Sequence, residues 1–208
     1  MTTLNDGSGT LGQWTVAGRG TSYVYLDSLQ GIDTIRVLLN GQHLGGKQNV
    51  IVAVNVTQGG SPDTTWFNIE PNGDFSIGDR LEEDSDGFFV FDFNWNTFPV
   101  MSRTTIVLPG AVDTEINEEH VIRSITSSFV AVEPIQTPIG TYQTLHARFA
   151  TVNDQIDSLE GFSFVDTTAT DYWFAPQLGM YIREQAWTSE DNSLLTSISA
   201  KLIQYFPR

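Results

Sequence analysis

The sequence predicts a single antiparallel all-β domain with little or no helix. Three observations carry this. Apolar and polar residues alternate with a period close to two along most of the chain, turn dipeptides interrupt the alternation at short intervals, and no stretch carries an apolar stripe at helical spacing. A chain of 208 residues with 40% hydrophobic content is of the size at which β domains stay undivided. It is long enough to bury a core without metals or disulfides. No linker composition or internal repeat divides it. The organisation expected is a polar, Gly/Ser-rich lead-in over residues 1–11 and one β domain over 12–208.

Taken in order, Gly18-Arg19-Gly20 precedes a strand rather than a helix and reads as a turn. Val50, Val52, Val54 and Val56 alternate with Ile51, Ala53, Asn55 and Thr57 as a strand does. Thr65 to Ile69 reads as another strand, closed by the turn Asn72-Gly73-Asp74. Phe88 to Trp95 alternates aromatic and other residues. Ala111 to His120 lacks a 3.6-residue period and reads as a loop with at most one helical turn. Val121 to Glu133 is rich in β-branched residues. Ile198, Ala200, Leu202 and Phe206 alternate with polar neighbours. Further turns are signalled at Asn40-Gly41, Gly59 to Pro62, Asp86-Gly87 and Pro109-Gly110. The count is roughly ten to thirteen strands joined by short turns, which argues for antiparallel pairing.

Composition narrows the function. Ten Lys and Arg against 25 Asp and Glu give a formal charge of −15. A surface of that sign repels nucleic-acid phosphates and anionic membrane surfaces, so no nucleic-acid partner is expected. Cysteine is absent, which removes disulfides, thiolate catalysis and cysteine-based metal centres. No apolar run approaches the length of a membrane span. The N-terminus has neither a basic nor an apolar signal region, so the chain is expected to be cytoplasmic or to have lost a signal.

Few residues offer chemistry. Phe89, Phe91, Phe93 and Trp95 share one strand face, a row that either fills a core or lines an apolar cavity. Glu82-Glu83-Asp84-Ser85-Asp86-Gly87 clusters carboxylates before a glycine turn, but the closing acid of a calcium loop is missing at Phe93. It reads as a solvated hairpin tip. His43, His120 and His146 fall in no zinc-protease spacing, and no nucleophile elbow or phosphate-cradling glycine loop occurs. Asn55-Val56-Thr57 matches a glycosylation sequon in mid-strand. No catalytic residue, metal ligand or cofactor is assigned. A carboxylate pair suited to glycoside hydrolysis is defined by its separation in space and has no local sequence pattern.

The C-terminal third is more distinctive. Thr137-Pro138-Ile139-Gly140-Thr141-Tyr142 is followed by Asp171-Tyr172-Trp173-Phe174-Ala175-Pro176-Gln177-Leu178-Gly179-Met180-Tyr181-Ile182-Arg183-Glu184. Upstream stand Thr65-Trp66-Phe67-Asn68-Ile69 with Asn72-Gly73, and Phe98-Pro99-Val100. Together, over roughly residues 12 to 190, these motifs resemble the bacterial envelope proteins of the DUF3108 and TapB-like groups. The resemblance implies an architecture similar to the LolA/LolB lipoprotein carriers: a strongly curved, half-barrel sheet. It also implies structural roles for Gly140, Pro176 and Gly179 at turns, and a periplasmic or envelope-associated location.

The function expected is therefore non-enzymatic: an envelope protein binding an apolar or lipid-like molecule in the concave face of the sheet. The lining expected is Trp66, Phe89, Phe91, Phe93, Trp173 and Trp187. Two alternatives from other classes are a carbohydrate-binding β-sandwich with calcium near Asp84 and Asp86, and a glycosidase.

Overall fold

The computed structural model describes the backbone of residues 4–5, 10–11, 14–29, 31–85, 88–108, 112–116, 119–157, 162–190 and 193–208. Strands form wherever β-branched and aromatic residues alternate with polar ones. In chain order they are β1 (Leu4–Asn5), β2 (Thr10–Leu11), β3 (Ser22–Asp27), β4 (Ile32–Leu44), β5 (Lys47–Thr57), β6 (Asp63–Ile69), β7 (Phe75–Ser85) and β8 (Phe88–Phe98). The second half adds β9 (Thr105–Val107), β10 (Val112–Ile116), β11 (Glu119–Thr137), β12 (Gly140–Asp157), β13 (Phe162–Ala175), β14 (Met180–Glu190) and β15 (Ser193–Phe206). The one helical element among the described residues is a 3-10 turn, Pro176–Leu178.

Among the described residues, thirteen strands form one antiparallel sheet in the order β10-β11-β12-β13-β14-β15-β3-β4-β5-β6-β7-β8, with β9 also pairing β11. The sheet is open, ending at β10 and β8. β1 and β2 pair separately as a two-stranded ladder within the lead-in. Val112–Ile116 corrects the loop expected over Ala111 to His120. Val112, Thr114 and Ile116 alternate and pair with Arg123, Val121 and Glu119 of β11. A strand beside an existing edge needs no apolar stripe of its own, because its backbone groups are satisfied by the neighbour.

The sheet is strongly curved, as ring contacts across it prove. Phe174 on β13 lies 4.8 Å from Phe75 on β7 and 5.3 Å from Phe98 on β8, centroid to centroid. Tyr172 lies 5.0 Å from Phe98. β13 and β7 stand seven places apart in the strand order. A flat sheet at roughly 4.8 Å per strand would separate them by about 34 Å. The inner face of the curl is the core: Tyr23, Tyr25, Val37, Phe67, Phe75, Phe98, Leu145, Phe174 and Leu202 are fully buried. The Tyr23 and Tyr25 hydroxyls donate to the Leu178 and Tyr181 carbonyls at 2.8 Å, tying β3 to the β13–β14 turn.

The turn residues behave as their chemistry requires. Thr137 pairs with Gly140 to close β11 onto β12, and the Thr137 hydroxyl donates to the Gly140 carbonyl at 3.0 Å. Gly179 ends the 3-10 turn at φ 71°, a left-handed conformation that favours glycine.

Candidate functional site

The open end of the curl is crossed by a short strap, Trp14 to Ala17. The Trp14 ring sits 5.2 Å from Phe75 and 6.3 Å from Phe174, and its indole N–H donates to the Gly73 carbonyl at 2.8 Å. The Thr15 N–H donates to the Pro176 carbonyl at 2.8 Å. Gly179 lets the strap lie this close, since a Cβ there would run into the Thr15 carbonyl. The strap therefore caps the aromatic core from above.

Beside the strap opens a cleft of about 510 Å³. Its apolar wall is Trp14, Val16, Ile51, Ile69 and Met101; Asn40, Asn49, Glu70 and Asn72 supply its polar groups. The wall is braced by hydrogen bonds. The buried Asp74 carboxylate accepts from the Met101 and Ser102 backbone N–H groups at 2.8 and 2.9 Å, and from the Ser102 hydroxyl at 2.8 Å. Glu70 pairs with Lys47 and accepts from the Ser76 hydroxyl at 2.6 Å. A preformed, mostly apolar concavity of a few hundred cubic ångströms, with a few fixed polar groups, is the usual form of a small-molecule site. Chemically it can take up an apolar body and offer hydrogen bonds to a polar end.

The three tryptophans expected to line the concave face lie elsewhere. Trp66 pairs with Val52 and Gly78, so strand alternation puts it on the face opposite Phe67, half-buried. Trp173 and Trp187 share the outer face of β13 and β14. The buried Trp173 indole N–H donates to Glu133 at 2.6 Å; its ring stacks on His146 at 4.3 Å and carries the Arg183 guanidinium at 4.4 Å. The Trp187 N–H donates to Asp171 at 2.8 Å, with Arg148 over its ring at 5.1 Å. Phe89, Phe91 and Phe93 pair with Asp84, Glu82 and Arg80, and their side chains lie outside the described residues. So do the side chains of the acidic segment from Glu82 to Gly87. The concave face is instead filled, where β7, β8 and β13 meet, by the rings that join them. Among the described residues, a cleft opens at the rim beside Trp14.

Asp171 anchors the outer-face cluster. It accepts from His146 Nε2 and Arg148 Nε, both at 2.9 Å, and from Arg148 Nη2 at 3.1 Å. Burial by itself would raise its pKa. The bonds from His146, Arg148 and Trp187, with the Arg148 charge, outweigh burial and bring it down to about 2. The His146 Nδ1 faces Glu133 at 2.9 Å, so both ring nitrogens meet carboxylates. Inside the curl, burial pushes the Glu184 carboxyl up; the Tyr172 hydroxyl bond at 3.2 Å opposes this and the Asp33 charge adds to it. Asp171 and Glu184 stand on opposite faces of the sheet, since Glu184 pairs with Tyr172, the residue beside Asp171. Neither lines the rim cleft.

Sequence reasoning missed the rim residues because they come from five separate segments. The one signal available was Trp14, a large aromatic in an otherwise small and polar N-terminal stretch.

No protein-family model and no curated protein matches the chain. Two solved structures are similar to it. A "putative lipoprotein" of Parabacteroides distasonis superposes with a TM-score of 0.53, covering 91% of this chain and 96% of its own at 15% identity. The chain shares that protein's fold. A "putative exported protein with YmcC-like fold" of Bacteroides fragilis gives a TM-score of 0.49 over 93% of this chain and 99% of its own, at 13% identity. Among the described residues, no helix is long and apolar enough to cross a membrane.

Proposed function

We propose that this protein is a non-enzymatic component of the bacterial cell envelope, related to the DUF3108 and TapB-like groups. In this reading it takes the apolar part of a lipid-like molecule into the rim cleft. The observation that carries the reading is the cleft itself: about 510 Å³, walled by Trp14, Val16, Ile51, Ile69 and Met101 and held open by the Asp74 and Glu70 bonds. The curved open sheet supports it, because it leaves a mouth that a closed barrel would not. The envelope location draws on the resemblance of the motifs and on the name of the Parabacteroides protein that shares the fold.

The test is titration with N-phenyl-1-naphthylamine, whose fluorescence rises in apolar surroundings. Val16 is 61% exposed and lines the cleft, so Val16→Glu alters the wall without touching the core. The protein should enhance the probe's emission saturably, and Val16→Glu should weaken binding at least tenfold. No saturable binding, or equal binding by the variant, refutes the reading.

A further inference from the structure

The cations of this acidic chain are sparse, and several are answered by a partner: Lys47 pairs with Glu70, Arg148 with Asp171, and Arg123 donates to Asn153. Arg19, Arg36 and Arg208 differ. They line one cleft of about 530 Å³, and among the described residues none of the three side chains makes a hydrogen bond or ion pair.

The backbone brings them there. Arg36 on β4 and Phe206 on β15 both pair with Ser22 of β3, from opposite sides. Arg208 follows Phe206 by two residues, and Arg19 sits in the turn that leads into β3. Gly18 and Gly20 let Arg208 close on that turn. A Cβ on Gly18 would stand 2.7 Å from the Arg208 carbonyl oxygen, and one on Gly20 would stand 3.0 Å from its Cδ. Three arginines line this cleft and no Asp or Glu does, so an anion seated in it gains from their charge. Arginine's planar fork suits phosphate and carboxylate.

The rest of the cleft wall is apolar. Leu38 and Leu39 are 40% and 45% exposed and stand beside the arginines. The cleft is also continuous along the chain with the rim cleft. Arg19 leads back to Val16 and Trp14, while Leu39 leads on to Asn40 and Gly41, all of which line the rim cleft. From Leu38 to Gly41 is about 10 Å at strand rise.

We propose that the arginine cleft seats the phosphate or carboxylate headgroup of an amphiphile whose apolar part enters the rim cleft, an assignment that rests on the function proposed above. The chain's charge of −15 opposes docking on an anionic membrane surface. A single headgroup held by three arginines is a local contact, and screening limits the reach of the distant carboxylates.

Calorimetric titration of the full chain with decyl phosphate, decyl maltoside and inorganic phosphate, below micelle concentrations, tests it. Decyl phosphate should bind at least tenfold more tightly than either of the others. The exposed-site double variant Arg19→Gln/Arg36→Gln should lose at least tenfold for decyl phosphate and keep its affinity for decyl maltoside. Unchanged decyl phosphate binding by that variant overturns the headgroup site. Equal affinity for inorganic and decyl phosphate, both weakened by the variant, identifies a free anion as the ligand and overturns the amphiphile. Indifference of both decyl probes to Val16→Glu sinks the rim-cleft reading instead, with the arginine result still legible on its own.

Discussion

Asp171→Asn should destabilise the protein through one buried carboxylate. Asp171 is 5% exposed and accepts four bonds: one from His146 and two from Arg148, at 2.9 to 3.1 Å, and one from Trp187 at 2.8 Å. Those bonds outweigh the upward push of burial and lower its pKa from 3.8 to about 2. At about 1.4 kcal/mol per pH unit, the folded state gains about 2 kcal/mol from the ionised form. The sign follows from the lowered value. The contribution is complete above about pH 4 and disappears as pH falls towards 2. Urea unfolding at pH 7, followed by tryptophan fluorescence, should therefore show Asp171→Asn less stable by about 2 kcal/mol. The loss could reach about 4 kcal/mol, because Arg148 and His146 are left facing a neutral amide. Between pH 4 and pH 2 the parent should lose stability faster than the variant, so that the gap closes. A variant within about 0.5 kcal/mol of the parent at pH 7, or a gap that does not change with pH, would show that the cluster does not hold the carboxylate as described.

Two further substitutions probe the interior and the strap. Glu184→Gln should raise the unfolding midpoint at pH 7, because burial and the Asp33 charge push this carboxyl up and make its ionised form unfavourable inside the curl. The raised value means the penalty grows as pH rises through it, so the gain should fade as pH falls towards 4; a lower midpoint for Glu184→Gln at pH 7 would contradict this. Gly179→Ala should cost about 2 kcal/mol or more, from the positive φ and the collision with the Thr15 carbonyl, and should release the strap. Faster hydrogen exchange at the Thr15 amide would register the release, and unchanged exchange would refute it.

Particular residues show how far the sequence could be read. The period-two run from Val50 to Thr57 falls inside β5, and the run from Ser197 to Phe206 inside β15, because alternation marks a strand; it did not mark the buried side, since Ile51 and Ala53 are buried while Val56, Ile198 and Phe206 are exposed. Gly140 and Gly179 fall at turns with φ of 144° and 71°, which local sterics alone demand. The face each aromatic takes was not legible. Trp173 and Phe174 are adjacent, so they point to opposite sides of the sheet; both are aromatic and both are buried, Trp173 stacked on His146 and Phe174 against Phe75. Where both faces carry aromatics, alternation names two rows and does not say which is concave. The strand Val112–Ile116 was missed for a different reason: it spans only five residues, too short a run for its alternation to stand out, and its pairing is with a separate segment, β11.

An antiparallel all-β chain, its main turns and its acidic charge were legible in residue order, since these follow from local sterics, strand periodicity and composition. The curvature was legible through the resemblance of short motifs. Which rings close the curl, that a cleft opens at the rim beside Trp14, and that Arg19, Arg36 and Arg208 line one cleft came from the folded chain. Each of those depends on contacts between segments far apart in the chain, and a pattern of neighbours cannot encode the distance between strands seven places apart in a sheet that bends back on itself.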